Sequence, residues 1–236
     1  LIRLGSDNDG GYLVDPRSIE NSAALLALGI GRNWSFENDF IERKKVKVHA
    51  YDYSIGTPYW IKHFFKRLIT ILIGRLFAPF QAVKLYLEFR AFFKEHASLF
   101  LEKIGTSTGC DTNLNQAMER LDDMPIFLKV DIEGYEYQIL DEIIECSDNL
   151  SGLVIEFHAV SENKEKIEKF LDQITLKLIH IHPNNNRLDE EGDPKAIELS
   201  FSKNPKKLGD QFICPHMLDQ DNVPRKTAVD LRFGEI

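Results

Sequence analysis

Phe127-Leu128-Lys129-Val130-Asp131-Ile132-Glu133-Gly134-Tyr135-Glu136 is the stretch on which the fold turns. A run of buried-strand character leads straight into two acids one residue apart and then a glycine. Alternation along a strand places Lys129, Asp131 and Glu133 on one face. Acids gathered where a strand ends and a helix begins point to an α/β sheet, which keeps its chemistry at the carboxyl ends of its strands.

Working outward, residues 23–28 (AALLAL) form a short continuous apolar run that suits a fully buried parallel strand and breaks at Gly29. Beyond the glycine turn, Phe36, Phe40 and Ile41 share one helical face, with Glu37 and Asp39 near the helix start where the dipole favours acids. Residues 46–51 alternate into Asp52, and 100–104, 127–131, 153–158, 176–182 and 196–201 supply five more strands. After 127–131, Ile139, Leu140, Ile143 and Ile144 recur at helical spacing. Ser161 is placed to cap a helix that turns Ile167, Phe170, Leu171 and Ile174 inward. The order predicts one α/β domain over 1–236, a mostly parallel seven-stranded sheet with helices on both faces. Residues 3–14 read as turn-rich, and the tail after Asn204 as polar and poorly periodic.

Composition sets the outer limits. A hydrophobic share of 43%, a charged share of 28% and 16 Phe suit a soluble globular protein with a substantial core. The net charge of −8 argues against sequence-independent nucleic-acid binding, so no nucleic-acid partner is expected. Cys110, Cys146 and Cys214 are odd in number and widely spaced, which suggests neither a disulfide framework nor a thiolate zinc site and places the chain in a reducing, cytoplasmic compartment. The chain begins at Leu1 without Met, as expected of a segment cut from something longer.

Between the second and third strands stands an anomaly. Residues 60–87 contain Lys62, Lys66, Arg67, Arg75 and Lys84 and no acid, in a chain that is acidic as a whole. On a helical wheel Lys62, His63, Lys66, Arg67 and Thr70 share an arc opposite Phe64, Phe65, Leu68, Ile69, Ile71, Leu72 and Leu76. An amphipathic helical insertion over 57–98, broken at Pro79, is predicted as a lid, a homodimer contact or a peripheral membrane-surface element. No uncharged run approaches the ~18 residues that a bilayer span requires.

Four groups of residues carry candidate chemistry. Gly29 and Gly31 let backbone approach a ligand ahead of a helix N-terminus, while Trp34 stands where a dinucleotide fingerprint wants a third small residue. Asp52, with Ser54 just beyond, ends a strand where nucleoside-binding folds place an acid on ribose hydroxyls. Asp131 and Glu133 are candidates for holding an amino group, a divalent cation or a proton. Glu156 and His158 share a face of the next strand, and His180 and His182 of the one after. Together they suit a general-base site, with His158, Asp131 and Glu133 as catalytic candidates. The metal version of the same site has Asp131, Glu156 and His158 hold Mg2+ or Mn2+, with His158 as base the first choice.

Lys129-x-Asp131-x-Glu133-Gly134-x-Glu136, Arg3-x-Gly5 with Asp9-Gly10-Gly11-Tyr12, Gly29-Ile30-Gly31 with Trp34-Ser35-Phe36-Glu37, Glu156-Phe157-His158, and His182-x-Asn184-Asn185 ahead of a strand at Glu198 resemble the FkbM-like family of S-adenosylmethionine (SAM) dependent methyltransferases. The matches cover nearly the whole chain except the insertion, although Ala27-Leu28-Gly29 lacks the acid of the commoner family opening. The resemblance implies a Rossmann-like class I methyltransferase fold and SAM as donor, with Gly29, Gly31 and Asp52 toward it. It also implies O-methylation of a sugar, a nucleotide-activated sugar or a glycan-like acceptor, and the matched motifs make Asp9, Tyr12, His182, Asn184 and Asn185 acceptor-side candidates. The alternatives are an NAD-type oxidoreductase and a non-catalytic module that docks on membranes.

Overall fold

The computed structural model describes residues 1–206 and 215–229; Cys214 lies outside them. In chain order the elements are β1 (Ile2–Gly5), β2 (Gly11–Val14), α1 (Pro16–Glu20), β3 (Ala24–Leu28), α2 (Ser35–Arg43), β4 (Lys47–Tyr51), α3 (Thr57–Ile69), α4 (Ala78–Glu95) and β5 (Ser98–Phe100). They continue with α5 (Leu114–Leu121), β6 (Ile126–Val130), α6 (Leu140–Cys146), β7 (Leu150–His158), α7 (Val160–Gln173), β8 (Lys177–Leu188) and β9 (Pro194–Ser202).

Seven strands form one sheet in the order β5-β4-β3-β6-β7-β9-β8. The first five are parallel neighbours, and β9 and β8 close the edge antiparallel. This is the α/β, Rossmann-like architecture that the sequence predicts. All five residues of β3 and of β6 are buried, because helices cover both faces and a central parallel strand has no solvated side. Leu26, Leu28, Leu128 and Val130 pack toward α5, α6 and α7, whereas Leu25 and Phe127 pack toward Phe36 and Phe40 of α2 and Tyr12 of the hairpin. The chain runs from β3 outward to β4 and β5, then returns to lay β6 on the other side of β3. That reversal opens a crevice between the ends of β3 and β6, at Gly29 and Asp131.

Local differences from the sequence reading have physical causes. Residues 3–14 contain the antiparallel hairpin β1–β2, whose four-residue strands are too short to show alternation. The third strand lies at Ser98–Phe100 and not over 100–104, its register set by pairing with His49, Ala50 and Tyr51. Ser161 does not cap α7: Ala159 holds that position in a left-handed conformation, and the Ser161 hydroxyl donates to Asp189 at 2.6 Å. The insertion does not break at Pro79, which occupies the first turn of α4 where a missing N–H costs nothing. The break is at Gly74, with φ +83°, after the 3-10 turn Thr70–Ile73.

Candidate functional site

Two backbone ties build the crevice: Gly29 N–H donates to Tyr51 O and Asp131 N–H to Leu28 O, both at 2.9 Å. They draw the ends of β4, β3 and β6 together around a cavity of about 150 Å3, lined among others by Gly29, Tyr51, Asp52, Ser54, Asp131 and Glu133. Gly29 has φ +78°, and a Cβ there would lie 1.6 Å from the Asp131 carbonyl oxygen, so neighbouring backbone already excludes a side chain. At Gly31, with φ +56°, a Cβ would meet nothing within 4 Å. The two glycines therefore differ: the first lets strand ends touch, and the second faces open room.

Asp52 fastens this turn. Its Oδ2 accepts from Ile30 N–H at 3.2 Å and Gly31 N–H at 2.8 Å; its Oδ1 accepts from the Ser54 N–H and hydroxyl, both at 2.7 Å. Both oxygens are thus engaged within the chain, and any ligand hydroxyl shares an acceptor that shapes the glycine turn. Trp34 precedes α2 and packs on Phe89 and Phe92 of α4, ring centroids 5.6 and 6.3 Å away, so the third position of the fingerprint anchors the insertion.

Beside the cavity, carboxylates surround one imidazole. His158 ends β7, and its Nε2 lies 4.0 Å from Asp131, 3.7 Å from Glu133 and 3.9 Å from Glu156. Behind it, the fully buried Glu136 accepts from the His158 N–H at 2.6 Å and from Gly134 N–H at 2.8 Å, and lies 3.2 Å from His158 Nδ1. Glu136 thereby sets the ring orientation. Asp131, Glu156 and His158 each present one ligand atom, all within 4.8 Å of one another. Asn184 donates to Glu156 at 2.9 Å, and the Tyr12 hydroxyl stands 3.4 Å from Asp131 and 3.5 Å from Glu156.

Electrostatics follow from this crowding. Burial raises the Asp131 carboxyl above its ordinary value, with Lys129 and His158 pulling against it. Burial, and then the Asp131 charge, pushes Glu156 up to about 8. For His158 burial works against the charged ring. The hydrogen bond to Glu136 and the charges of Glu156, Glu136 and Asp131 outweigh it and raise the imidazole to about 9. Burial first, then Asp131 and Glu156, keep the Tyr12 phenol neutral. An imidazole that retains its proton to about pH 9 is a poor free base near neutrality, whereas this much negative charge around one hole suits a hard divalent cation.

The structure thus brings Asp131, Glu133, Glu156, His158, Tyr12 and Asn184 together. Asp9 is exposed on the hairpin loop and acts on them as a nearby charge. His182 and Asn185 are not brought to the cluster. His182 lies 3.5 Å from Asp219 and 3.1 Å from Asn222, and Asn185 is paired with the backbone of Val223, so both hold the segment that follows β9. His180 likewise meets Asp219 at 2.8 Å. Glu136, which the sequence reading quotes in its motif but gives no role, is brought to His158 by the 3-10 turn Glu136–Gln138, which folds it back beneath β7. Lys129 keeps the face it shares with Asp131, on the side of Tyr12 and α2: its ammonium lies 5.9 Å from the Tyr12 ring and reaches Glu37 at 3.3 Å and Gly29 O at 3.0 Å.

No family model matches the chain, and no curated protein matches it. Among solved structures it is similar to an rRNA methylase from Streptococcus thermophilus, at 15% identity and a TM-score of 0.42 over 79% of this chain and 92% of that one. A precorrin-6y C5,15-methyltransferase from Geobacter metallireducens gives 10% and 0.41 over 79% and 86%. The Methanococcus jannaschii fibrillarin pre-rRNA processing protein gives 12% and 0.41 over 80% and 69%. Two of these three are named for ribosomal RNA, and with that finding the expectation of no nucleic-acid partner is withdrawn. Its physical weakness is that net charge averages over a surface: Arg32, Lys62, Lys66 and Arg67 line one groove of this acidic chain.

Proposed function

We propose that the chain is a SAM-dependent O-methyltransferase whose acceptor presents a sugar hydroxyl, with Mg2+ or Mn2+ held by Asp131, Glu156 and His158. The observation that carries this reading is the wall shared by cavity and cluster. Asp131 and Glu133 line the strand-end cavity and also face His158, so a ligand in the cavity ends beside the ion-ligating atoms. The open room at Gly31 and the glycine turn held by Asp52 fit a nucleoside-bearing cofactor lying across the strand ends. Bound SAM supplies an electrophilic methyl on a sulfonium, so much of the remaining task is alignment, worth up to ~7 to 11 kcal/mol.

An aliphatic hydroxyl is a weak nucleophile and must shed its proton, which Glu133, the cluster carboxylate outside the ion-ligating set, would accept. Asp131, Glu156 and His158 would hold the cation against the hydroxyl oxygen, and Glu136 would keep the His158 ring turned toward it. The neutral Tyr12 phenol and Asn184 would orient the carboxylates. Trp34, packed on Phe89, leaves no third small residue for a pyrophosphate and supports SAM over a nicotinamide cofactor.

The test is SAM turnover against nucleotide-activated sugars, glycans and an RNA oligonucleotide, whose ribose hydroxyl offers the same chemistry, with and without EDTA. Turnover on one acceptor class that collapses with chelator and returns with Mn2+ is expected. Chelator-insensitive turnover would remove the cation and leave a carboxylate as base. A melting temperature raised by NAD and not by SAM would reject the donor.

A further inference from the structure

The insertion is only partly accounted for by the core. Trp60 of α3 and Phe89 of α4 bury themselves with Ala27, Ile30, Ala50 and Ile55 at the ends of β3 and β4. The rest of its apolar arc has no cover among the described residues: Phe65 is 57% exposed, Ile69 66%, Leu72 85%, Phe77 74% and Phe80 73%. These side chains run from α3 through the turn at Gly74 into α4, a contiguous apolar ridge of a kind that monomeric soluble proteins rarely show.

Two further features belong to the same insertion. Arg32, Tyr59, Lys62, His63, Lys66 and Arg67 line an open groove of about 490 Å3 with no carboxylate among its lining residues. A cleft of about 250 Å3 between the two helices is walled by Trp60, Phe64, Val83, Tyr86 and the ridge residue Phe65, mostly with apolar surface. No described helix is long and apolar enough to cross a membrane. An apolar ridge and slot beside a row of cations on an element that cannot span matches the chemistry of the water–lipid boundary.

We infer that the insertion docks the protein on an anionic phospholipid bilayer, with the ridge in the acyl boundary and the groove of Arg32, Lys62, Lys66 and Arg67 on headgroup phosphates. Charge complementarity selects this occupant. A second copy of the chain would place like-charged grooves near one another, whereas an anionic leaflet attracts every cation in the row. The inference stands apart from methyl transfer, since it uses no residue of the strand-end site.

Co-sedimentation of the full chain with phosphatidylglycerol and with phosphatidylcholine vesicles tests it. Binding to the anionic vesicles, weakened by salt, is expected. Replacing Lys62, Lys66 and Arg67 by Gln should cost about a hundredfold in apparent affinity, from roughly one headgroup interaction lost at each position. Leu72→Ser with Phe77→Ser should abolish binding without moving the melting temperature, since both residues are exposed. Failure to sediment with either vesicle would overturn the inference. Binding lost in the Gln variant but untouched in the Ser variant would assign the groove to a soluble polyanion such as RNA, and also overturn it. A dimer in analytical ultracentrifugation that the Ser variant dissolves, without vesicle binding, would assign the ridge to a second copy.

Discussion

At the strand ends, charge is buried and held by partners; on the insertion, apolar surface is exposed and has none among the described residues. Glu136 is fully buried and accepts from two backbone N–H groups, while Leu72, in a turn of the insertion, is 85% exposed. Each arrangement costs stability in isolation, the first through desolvation of carboxylates and the second through apolar hydration. On the proposed reading each cost is offset by a ligand, a cation in the acidic hole and a lipid surface on the ridge.

The largest effect expected of that contrast is catalytic. His158→Ala should lower turnover by ~10² to 10⁴-fold while SAM affinity, measured by calorimetry, stays within about twofold, because the ring acts on the acceptor side. Loss of SAM affinity in parallel with turnover would place His158 on the donor and break the division of labour at Asp131. The cationic groove offers the control: it should leave donor affinity unaffected when its Lys and Arg residues are neutralised.

Much of the strand-end site was legible because buried parallel strands and their terminal acids are local signals. Residues 23–28 and 127–131 announced β3 and β6, and the pairing of Glu156 with His158 on one face of β7 follows from a period of two. What stayed hidden depends on contacts distant in sequence. The motifs name Tyr12 and Glu136 but not their partners: Tyr12 reaches Asp131 and Glu156 because a hairpin too short to alternate folds over α2, and Glu136 lies under His158 through a 3-10 turn. His182 and Asn185 share strand β8 with Asn184, yet the segment following β9 occupies them, and nothing in their spacing reveals that. For the insertion, the amphipathic pattern predicted helices and a basic arc, both present. It also implied a need for cover, which the chain itself meets only at Trp60, Phe89 and their neighbours.

Within the insertion the same contrast can be sharpened. Trp60 is 6% exposed with its ring 4.9 Å from Phe89, so Trp60→Ala should cost ~3 to 5 kcal/mol by urea denaturation. Its buried Nε1 has no hydrogen-bond partner among the described residues, so Trp60→Phe removes an orphaned donor and should cost much less than Trp60→Ala. Equal costs would mean that the indole N–H is satisfied and the apolar contact is not what anchors α3.

A smaller, signed effect separates buried charge from buried apolar surface. Glu156 is raised to about 8 and His158 to about 9, so between about pH 4.5 and 9 the native state binds more protons than the unfolded chain. Both groups therefore act in one direction: the His158 contribution is present below its unfolded value of 6.5 and fades as pH rises through 9, while the Glu156 contribution is lost between 4.5 and about 8, where the unfolded carboxyl ionises and the buried one keeps its proton. The melting temperature of metal-free protein should fall from pH 6 to pH 9. Mn2+ displaces those protons, so the stabilisation it gives should be greater at pH 8.5 than at pH 6. A flat profile, or Mn2+ stabilisation that grows as pH falls, would remove the cluster as a cation site.

The smallest effect belongs to the ridge, where Leu72→Ser should change stability by no more than ~0.5 kcal/mol. Truncating a large buried aliphatic residue costs ~2 to 5 kcal/mol because a cavity replaces packed atoms, but at 85% exposure Leu72 leaves its apolar atoms in water and its removal opens no void. A urea midpoint matching the unsubstituted chain at low protein concentration, without lipid, is expected. A loss of 2 kcal/mol or more would show that the isolated chain already covers its ridge, either with a second copy or with the residues beyond those described. The difference between the two regions would then be one of folding alone.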